Sequence, residues 1–223
     1  MRIAVIAGAS GLIGESLLSY LLADEYYQKI IVLGRRSLGI KREKLEERII
    51  NFDQLVDVSP EGLEWADFYC CLGTTIKKAG SQEAFKKVDF TYPLELAQLA
   101  KKCNANQFLI VSAIGADKNS SFFYNRVKGE VQEAISNLEL QTLHIFQPSQ
   151  LLGKRKEVRV GEDVAKVFFS LFGFLFMGPL RKYKAIKGST VAKAMYLKAR
   201  QNLSGKYIFT SDKIENIVKE CLG

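Results

Sequence analysis

The 223-residue sequence is poor in the residues that build metal centres and covalent cross-links. It has one histidine, His144, and no cluster of His, Cys, Asp or Glu with metal-ligand spacing, so no metal site is predicted. The four cysteines include no C-x-x-C pair and no disulfide framework. Cys70 and Cys71 are expected to be core thiols on opposite faces of a strand, and a reducing cytoplasm is the predicted location.

The sequence also lacks a membrane-spanning segment. The apolar run VFFSLFGFLFMGPL, at 167–180, has two glycines and a proline and falls short of the roughly twenty residues that a spanning helix needs. It favours instead a helix that covers a substrate pocket, or self-association as a homodimer through residues 168–176. No charged leader with a small-residue cleavage site precedes the first predicted strand, so we expect no secretory signal.

Composition is that of a globular protein, with 48% hydrophobic and 25% charged residues. The length suits a single α/β domain over 1–223, in which residues 150–188 form a small substrate-side region. The net charge of +8 comes from scattered basic doublets. It favours anionic partners in general, but doublets spread along a chain are typical of solvated faces, so we expect no specific nucleic-acid partner.

The chain opens with a buried strand that breaks into a glycine-rich turn. Residues 3–7 are apolar, and the sequence GASGLIG at 8–14 leads into a helix with apolar residues at helical spacing. This arrangement is typical of a loop that cradles phosphate on a helix N-terminus, although its G-x-x-G-x-x-G spacing differs from the commonest dinucleotide motif. The candidate contacts of a cofactor pyrophosphate are Gly8, Ser10, Gly11, Leu12, Ile13 and Gly14.

A second strand is predicted over residues 29–33 and ends at Arg35 and Arg36. Proteins that bind NAD usually carry an acidic residue here for the ribose hydroxyls. A guanidinium offers paired, charge-assisted donors, so arginine at this position favours the 2′-phosphate of NADP(H) over NAD. The alternative is a pair of ordinary surface arginines.

The following segments alternate between strands and helices, which predicts a doubly wound parallel sheet of the Rossmann type. Strands are predicted over 49–52, 68–72, 107–111 and 140–146, and a long helix over 81–102 is expected to bend at Pro93. A further helix is predicted over 190–201, and a short strand over 207–209. Ligands bind at the carboxyl edge of such a sheet, so Leu72, Gly73 and Thr74 are candidate cofactor contacts there. Two further candidates have open alternatives: Asp53 would approach the adenine or cap a turn, and Gln147 would contact the nicotinamide or the substrate or belong to a plain loop.

Three residues supply a reason to hold a nicotinamide cofactor. Ser112 ends a predicted strand, and Tyr124 and Lys128 lie four residues apart on one face of the next helix. The lysine ammonium would favour the phenolate and lower the pKa of Tyr124 from its reference value of about 10. Tyr124 would then act as acid or base, Ser112 would bind the substrate oxygen, and Lys128 would also bind the nicotinamide ribose.

These motifs together resemble the atypical short-chain dehydrogenase/reductases, and more narrowly the family of the HIV Tat-interacting oxidoreductase. The resemblance is carried by GASGLIG, LGRR at 33–36, CCLGTT at 70–75, the stretch from Val111 to KGEVQ, and FQPSQLLGKR at 146–155. It implies a Rossmann fold, NADPH and a Ser-Tyr-Lys centre, and also regulation through a protein partner. Asp89 stands where common members carry asparagine, which puts their proton relay in doubt.

The sequence therefore predicts an NADPH-dependent oxidoreductase acting on a carbonyl or hydroxyl group of an unnamed small molecule. Two alternatives stay open. One is an NADPH-responsive regulatory protein without turnover, and the other is a nucleotide-sugar epimerase or dehydratase that uses the same centre.

Overall fold

The computed structural model describes residues 1–153 and 178–221, which form a three-layer α/β structure. Seven parallel strands make the main sheet in the order β3-β2-β1-β4-β5-β6-β9, and β7 pairs with β8 in a small second sheet. The strands are β1 (Ile3–Ala7), β2 (Lys29–Gly34), β3 (Leu45–Ile49), β4 (Asp67–Cys70), β5 (Gln107–Val111), β6 (Thr142–Gln147), β7 (Leu151–Leu152), β8 (Ile186–Lys187) and β9 (Gly205–Thr210). The predicted Rossmann-type parallel sheet is confirmed.

Helices cover both faces of the main sheet because its central strands are buried on both sides. One face packs against α4 and α5, and the other packs against α1, α6 and α7. The helices are α1 (Leu12–Ala23), α2 (Ile76–Ala79), α3 (Gln82–Lys86), α4 (Tyr92–Lys102), α5 (Phe123–Ser136), α6 (Gly188–Ala199) and α7 (Ser211–Glu220). Short 3-10 helices span Phe52–Asp57 and Gly178–Tyr183.

The direction of strand addition reverses between β1 and β4. The chain runs outward from β1 through β2 to β3, then returns to place β4, β5, β6 and β9 on the other side of β1. The helices that leave β1 and β4 therefore diverge and open a crevice at the carboxyl edge of the sheet. This crevice is where the candidate residues converge.

The third strand lies earlier than the sequence predicts. A strand is expected over 49–52, but β3 covers Leu45–Ile49 and Phe52–Asp57 is a 3-10 helix. β3 is an edge strand with no fully buried face, so its charged residues obscure the apolar pattern that identifies strands. Glu46 binds both Lys29 of β2 at 2.6 Å and Arg48 at 2.5 Å.

The predicted long helix over 81–102 is interrupted by a π-helical segment. After α3, the backbone widens over Lys87–Thr91, and the Tyr92 amide donates to the Lys87 carbonyl five residues back. Pro93 follows within the first turn of α4, where its missing N–H removes the bond that the Asp89 carbonyl would receive in a regular helix. The predicted disturbance at Pro93 therefore takes the form of a π-helical segment just before the proline, and Asp89 lies in that segment.

The carboxyl-terminal part is more regular than the sequence indicates. The strand expected over 207–209 extends to Gly205–Thr210 and completes the main sheet, and α7 follows it without having been predicted. The β7–β8 pair brings the two ends of the predicted substrate-side region together. The apolar segment 168–176, expected to cover a pocket or form a dimer contact, lies outside the described residues.

The buried His144 makes the stability of the fold depend on pH. It is fully buried on β6, its ring stacks 5.4 Å from Tyr207 and 5.9 Å from Phe209, and neither ring nitrogen has a hydrogen-bond partner within the described ranges. Burial, with a smaller effect of Lys198, lowers the pKa of His144 from 6.5 to about 4. The folded protein therefore holds this imidazole neutral.

We expect wild-type stability to fall as pH drops from 6.5 towards 4, because the unfolded chain binds a proton that the folded chain rejects. The loss from this residue is on the order of 3 kcal/mol. In His144→Phe this part of the pH dependence disappears. Urea unfolding of both proteins between pH 7.5 and pH 4 measures it, and parallel stability curves would contradict the assignment.

Candidate functional site

The glycine loop between β1 and α1 is held by two close backbone approaches. Gly8 has φ +86°, and a Cβ there would lie 2.5 Å from the Cys71 carbonyl oxygen, just beyond β4. A Cβ at Gly14 would lie 2.1 Å from the Gly8 carbonyl oxygen. Glycine at both positions lets the loop fold back between β4 and the first turn of α1.

The N-terminus of α1 faces the crevice without a side-chain cap. Gly11 is the N-cap residue and is exposed, as is Ser10. The amides of the first helical turn, from Leu12 through Ile13 to Gly14, precede the first intrahelical donor, Glu15, which bonds the Gly11 carbonyl at 2.8 Å. Such a turn can bind an anion through its amides and the helix dipole.

The side chain of Leu12 is not part of that anion-binding surface. A Cβ at Gly153 would lie 2.6 Å, and one at Gly188 2.7 Å, from atoms of the Leu12 side chain. Leu12 is therefore packed between the end of β7 and the start of α6. Only its backbone is placed to meet a phosphate.

The segment that follows β4 lies beside the helix of the predicted tyrosine. Thr74 donates its amide to Asp89 Oδ2 at 2.8 Å, while Leu72 packs on the core. A Cβ at Gly73, which is exposed, would lie 3.5 Å from Asp89 Oδ1 and 4.0 Å from Lys128 Nζ. The structure thus brings Gly73, Thr74 and Lys128 together at the crevice.

Tyr124 and Lys128 occupy successive turns of α5, as their spacing predicts. The half-buried Tyr124 ring packs 5.6 Å from Phe85. Lys128 is buried, and its Nζ lies 2.7 Å from Asp89 Oδ1. Burial alone would lower the pKa of Lys128, but the Asp89 carboxylate and Tyr124 outweigh it and raise that pKa above its usual value. The lysine therefore remains charged.

Ser112 is placed differently from the tyrosine and lysine. Its hydroxyl oxygen accepts a hydrogen bond from Gln132 Nε2, and Gln132 Oε1 accepts one from Gln147 Nε2 at 2.9 Å. Gln132 lies two turns after Tyr124, ~12 Å along the axis of α5. Within the described ranges no hydrogen bond joins Ser112 to Tyr124 or Lys128. The structure links Ser112 with Gln147, both predicted site residues.

Two residues that the sequence analysis did not single out shape this part of the site. Gln132 on α5 is hydrogen-bonded to Ser112, which follows β5, and to Gln147 at the end of β6. In the sequence, its position one helical turn after Lys128 places it on the same helical face, and that is the signal that could have identified it. Gly129 permits the 113–122 loop to lie on α5, since a Cβ there would be 2.1 Å from the Lys118 amide nitrogen. A glycine inside a helix is the sequence signal for such an approach.

The remaining candidates lie at the outer end of the crevice. Arg35 and Arg36 are exposed directly after β2 and have no hydrogen-bond or ion-pair partner within the described ranges. Asp53 is exposed, bonds Lys87 Nζ at 2.8 Å and accepts from the Tyr92 hydroxyl. The Lys87 ammonium, and then the Tyr92 hydroxyl, hold the pKa of Asp53 below its usual range. Asp53 is thus tied to the π-helical segment, whereas the arginines are available to an anion.

Residues 1–153 and 178–221 contain no group of three His, Cys, Asp or Glu side chains that could hold a metal ion. The helices within these ranges are also too short or too polar to span a membrane. The arrangement can bind an extended anionic molecule along the carboxyl edge, from the arginines past the glycine loop to Lys128 and Tyr124.

Comparison with known sequences identifies relatives over much or nearly all of the chain. Protein HTATIP2 of Rattus norvegicus is 39% identical over 167 residues, which span 74% of this chain and 69% of that protein. Protein FMP52, mitochondrial, of Debaryomyces hansenii is 30% identical over 228 residues, which span 97% and 98%. No family model matches the sequence.

Solved structures share the fold at low sequence identity. MoeE5 in complex with UDP-glucose and NAD has a TM-score of 0.67 at 12% identity, covering 98% of this chain and 81% of that one. The oxidoreductase ylbE from Lactococcus lactis has a TM-score of 0.64 at 17% sequence identity, and the match covers 98% of this chain and 97% of that one. The human epimerase family protein SDR39U1 with NADPH has a TM-score of 0.61 at 14% sequence identity, and the match covers 95% of this chain and 74% of that one. These likenesses concern the fold alone.

The predicted cytoplasmic location is wrong, because fungal FMP52 relatives are named as mitochondrial proteins. The prediction infers a compartment from cysteine usage. The described cysteines are indeed free, and burial raises the pKa of Cys70 to about 12. Free thiols are compatible with reducing conditions, and reducing conditions do not identify one compartment.

We expect Gly14→Ala to destabilise the protein by about 2 kcal/mol, because the new methyl group overlaps the Gly8 carbonyl and must push the loop from the helix. Gly11→Ala is the comparison variant, since its Cβ would lie 3.3 Å from that same oxygen, a tight contact that a shift of a few tenths of an ångström relieves, and its φ of −85° suits alanine. We expect it to cost less stability than Gly14→Ala. Urea unfolding of both variants measures the difference. Equal effects at the two positions would contradict this packing argument.

Proposed function

Because the chain belongs to the HTATIP2-like family of atypical short-chain dehydrogenase/reductases, we propose that it is an NADPH-dependent oxidoreductase acting on a carbonyl or hydroxyl group. The observation that carries this proposal is the position of Lys128. Its ammonium is buried one turn from Tyr124 and next to Gly73, at the edge where the glycine loop opens. A charged lysine at this place can bind the cofactor ribose and also stabilise the phenolate of the tyrosine.

Each residue has a definite role in this proposal. Bound NADPH would supply the hydride. Tyr124 donates a proton to the substrate oxygen, and its hydroxyl has no competing hydrogen-bond partner within the described ranges. Lys128 stabilises the resulting phenolate and binds the nicotinamide ribose. Ser112 binds the substrate oxygen after its hydroxyl turns from Gln132.

The choice of NADPH over NADH rests on Arg35 and Arg36. Both are exposed directly after β2, the second strand of the unit formed by β1, α1 and β2. Neither is neutralised by a carboxylate within the described ranges. A 2′-phosphate would pair with them, whereas the ribose hydroxyls of NADH would find no acidic acceptor at this position. Gln147, Leu72 and Thr74 would line the nicotinamide end, and Asp53 the adenine end.

A second candidate is a regulatory protein that binds NADPH without turnover. The bond from Gln132 to the Ser112 hydroxyl favours it, because within the described ranges that hydroxyl is hydrogen-bonded to Gln132 and not to Tyr124 or Lys128. The epimerase-like alternative has no comparable support, since the epimerase structures share only the fold.

We expect Tyr124→Phe to reduce NADPH-dependent carbonyl reduction by at least ~100-fold, because the proton donor is lost. Cofactor affinity should change little, since the ring stays packed on Phe85. A panel of aldehydes and ketones, followed by NADPH absorbance, measures turnover, and calorimetry measures affinity.

Tyr20→Phe on α1 is the control for this experiment and should match the wild type. Activity that survives Tyr124→Phe would remove Tyr124 from the mechanism. Wild-type protein that binds NADPH but reduces no compound of the panel would favour the regulatory candidate.

We expect Arg35→Ala/Arg36→Ala to weaken NADPH binding by about 10- to 100-fold, the loss of one or two charge-assisted contacts to the 2′-phosphate. NADH binding should change little, because that cofactor lacks the phosphate. Lys101→Ala/Lys102→Ala, at the far end of α4, removes the same charge and is the control. Equal losses for NADPH and NADH would contradict recognition of the 2′-phosphate.

A further inference from the structure

One buried carboxylate joins two parts of the site that are distant in sequence. Asp89 Oδ1 lies 2.7 Å from Lys128 Nζ on α5, and Asp89 Oδ2 accepts the Thr74 amide at 2.8 Å. The side chains of Asp89 and Lys128 are 1% and 6% exposed. The two oxygens of Asp89 therefore connect the lysine helix to the segment after β4.

The backbone around Asp89 explains how it reaches both partners. It lies within the π-helical segment Lys87–Thr91, just before the proline of α4. The wider turn shifts a side chain relative to its position in a continuous α-helix, and π-helical segments of this kind are frequent at functional sites. Phe85, on the preceding turn, is buried against Phe123 and Tyr124 and fixes this segment against α5.

The electrostatics of the pair require both members. A buried ammonium is strongly disfavoured without a carboxylate, and a buried carboxylate without a cation is equally costly. Among the described residues, the groups that face Lys128 are Asp89, Tyr124 on its own helix and the Cys70 thiol of β4, and of these only Asp89 forms an ion pair with it. Asp89 thus decides where the ammonium is held.

We propose that Asp89 is the positioning residue of this site, holding the Lys128 ammonium and the Thr74 amide in the one geometry that receives the nicotinamide ribose. This inference rests on the proposed binding of a nicotinamide cofactor. It assigns to Asp89 a direct contact in place of the relay that an asparagine serves in common short-chain dehydrogenases. The cofactor segment at 72–75 and the tyrosine helix are then joined through this one carboxylate.

The first test is a double-mutant cycle on NADPH affinity, measured by calorimetry. Asp89→Asn can still offer a carbonyl oxygen to the Thr74 amide, but it then turns an NH₂ group towards the ammonium. We expect Asp89→Asn and Lys128→Met each to weaken binding by about tenfold, one lost charge-assisted hydrogen bond. The double variant should bind no more weakly than Lys128→Met alone.

Additive losses would show that Asp89 acts independently of Lys128 and would overturn the proposal. Glu130→Gln is the matched control, because the Lys86–Glu130 ion pair of 3.3 Å is a second charged contact with α5, made from α3, but is partly exposed. It should bind NADPH like the wild type. Wild-type protein that binds neither NADPH nor NADH would instead refute the proposed function itself.

Asp89→Glu keeps the test decisive if Asp89→Asn does not fold. Glutamate retains the charge that the buried lysine needs, but its extra methylene prevents one carboxylate from meeting both Lys128 and the Thr74 amide in the present geometry. We expect it to fold and to bind NADPH about tenfold more weakly, a loss of the size of one charge-assisted hydrogen bond. Wild-type affinity in Asp89→Glu would reduce Asp89 to a charge-balancing residue and overturn the proposal.

Discussion

Burial of the central sheet on both faces is the constraint on which the other features depend. Strands such as β1, β4 and β5 carry apolar side chains towards both helical layers, so polar side chains are largely restricted to the strand ends. All seven main strands are parallel, and their carboxyl ends therefore meet at one edge. The reversal of strand order beside β1 opens that edge into a crevice.

The crevice is shaped by backbone contact as much as by side chains. Gly8 and Gly14 bring the first loop, the end of β4 and the start of α1 within contact distance of one another, and Gly129 does the same for the 113–122 loop and α5. A methyl group at any of these positions would meet main-chain atoms, which cannot turn aside as a flexible side chain can. The glycines thus place amides, lysine and tyrosine around one space.

Within that space, charge is distributed unevenly. Arg35 and Arg36 remain exposed and unpaired within the described ranges, which suits a phosphate that arrives from solvent. Lys128 is buried and paired with Asp89. Such a cation is better suited to orienting a bound ligand than to attracting one from solvent. In the proposed function, binding at the outer end and alignment at the inner end therefore fall to different cations.

Local spacing and residue type were enough to predict the parallel sheet, the glycine loop, the arginines after β2 and the shared helical face of Tyr124 and Lys128. The same local patterns misplaced β3, whose charged edge position hides the strand pattern, and missed the π-helical segment, since Pro93 indicates a disturbance but not its form. The partners of the buried polar groups, Asp89 with Lys128 and Ser112 with Gln132, became known from the folded structure alone. Spacing fixes the face on which a residue lies, whereas its partner depends on how segments distant in sequence pack together.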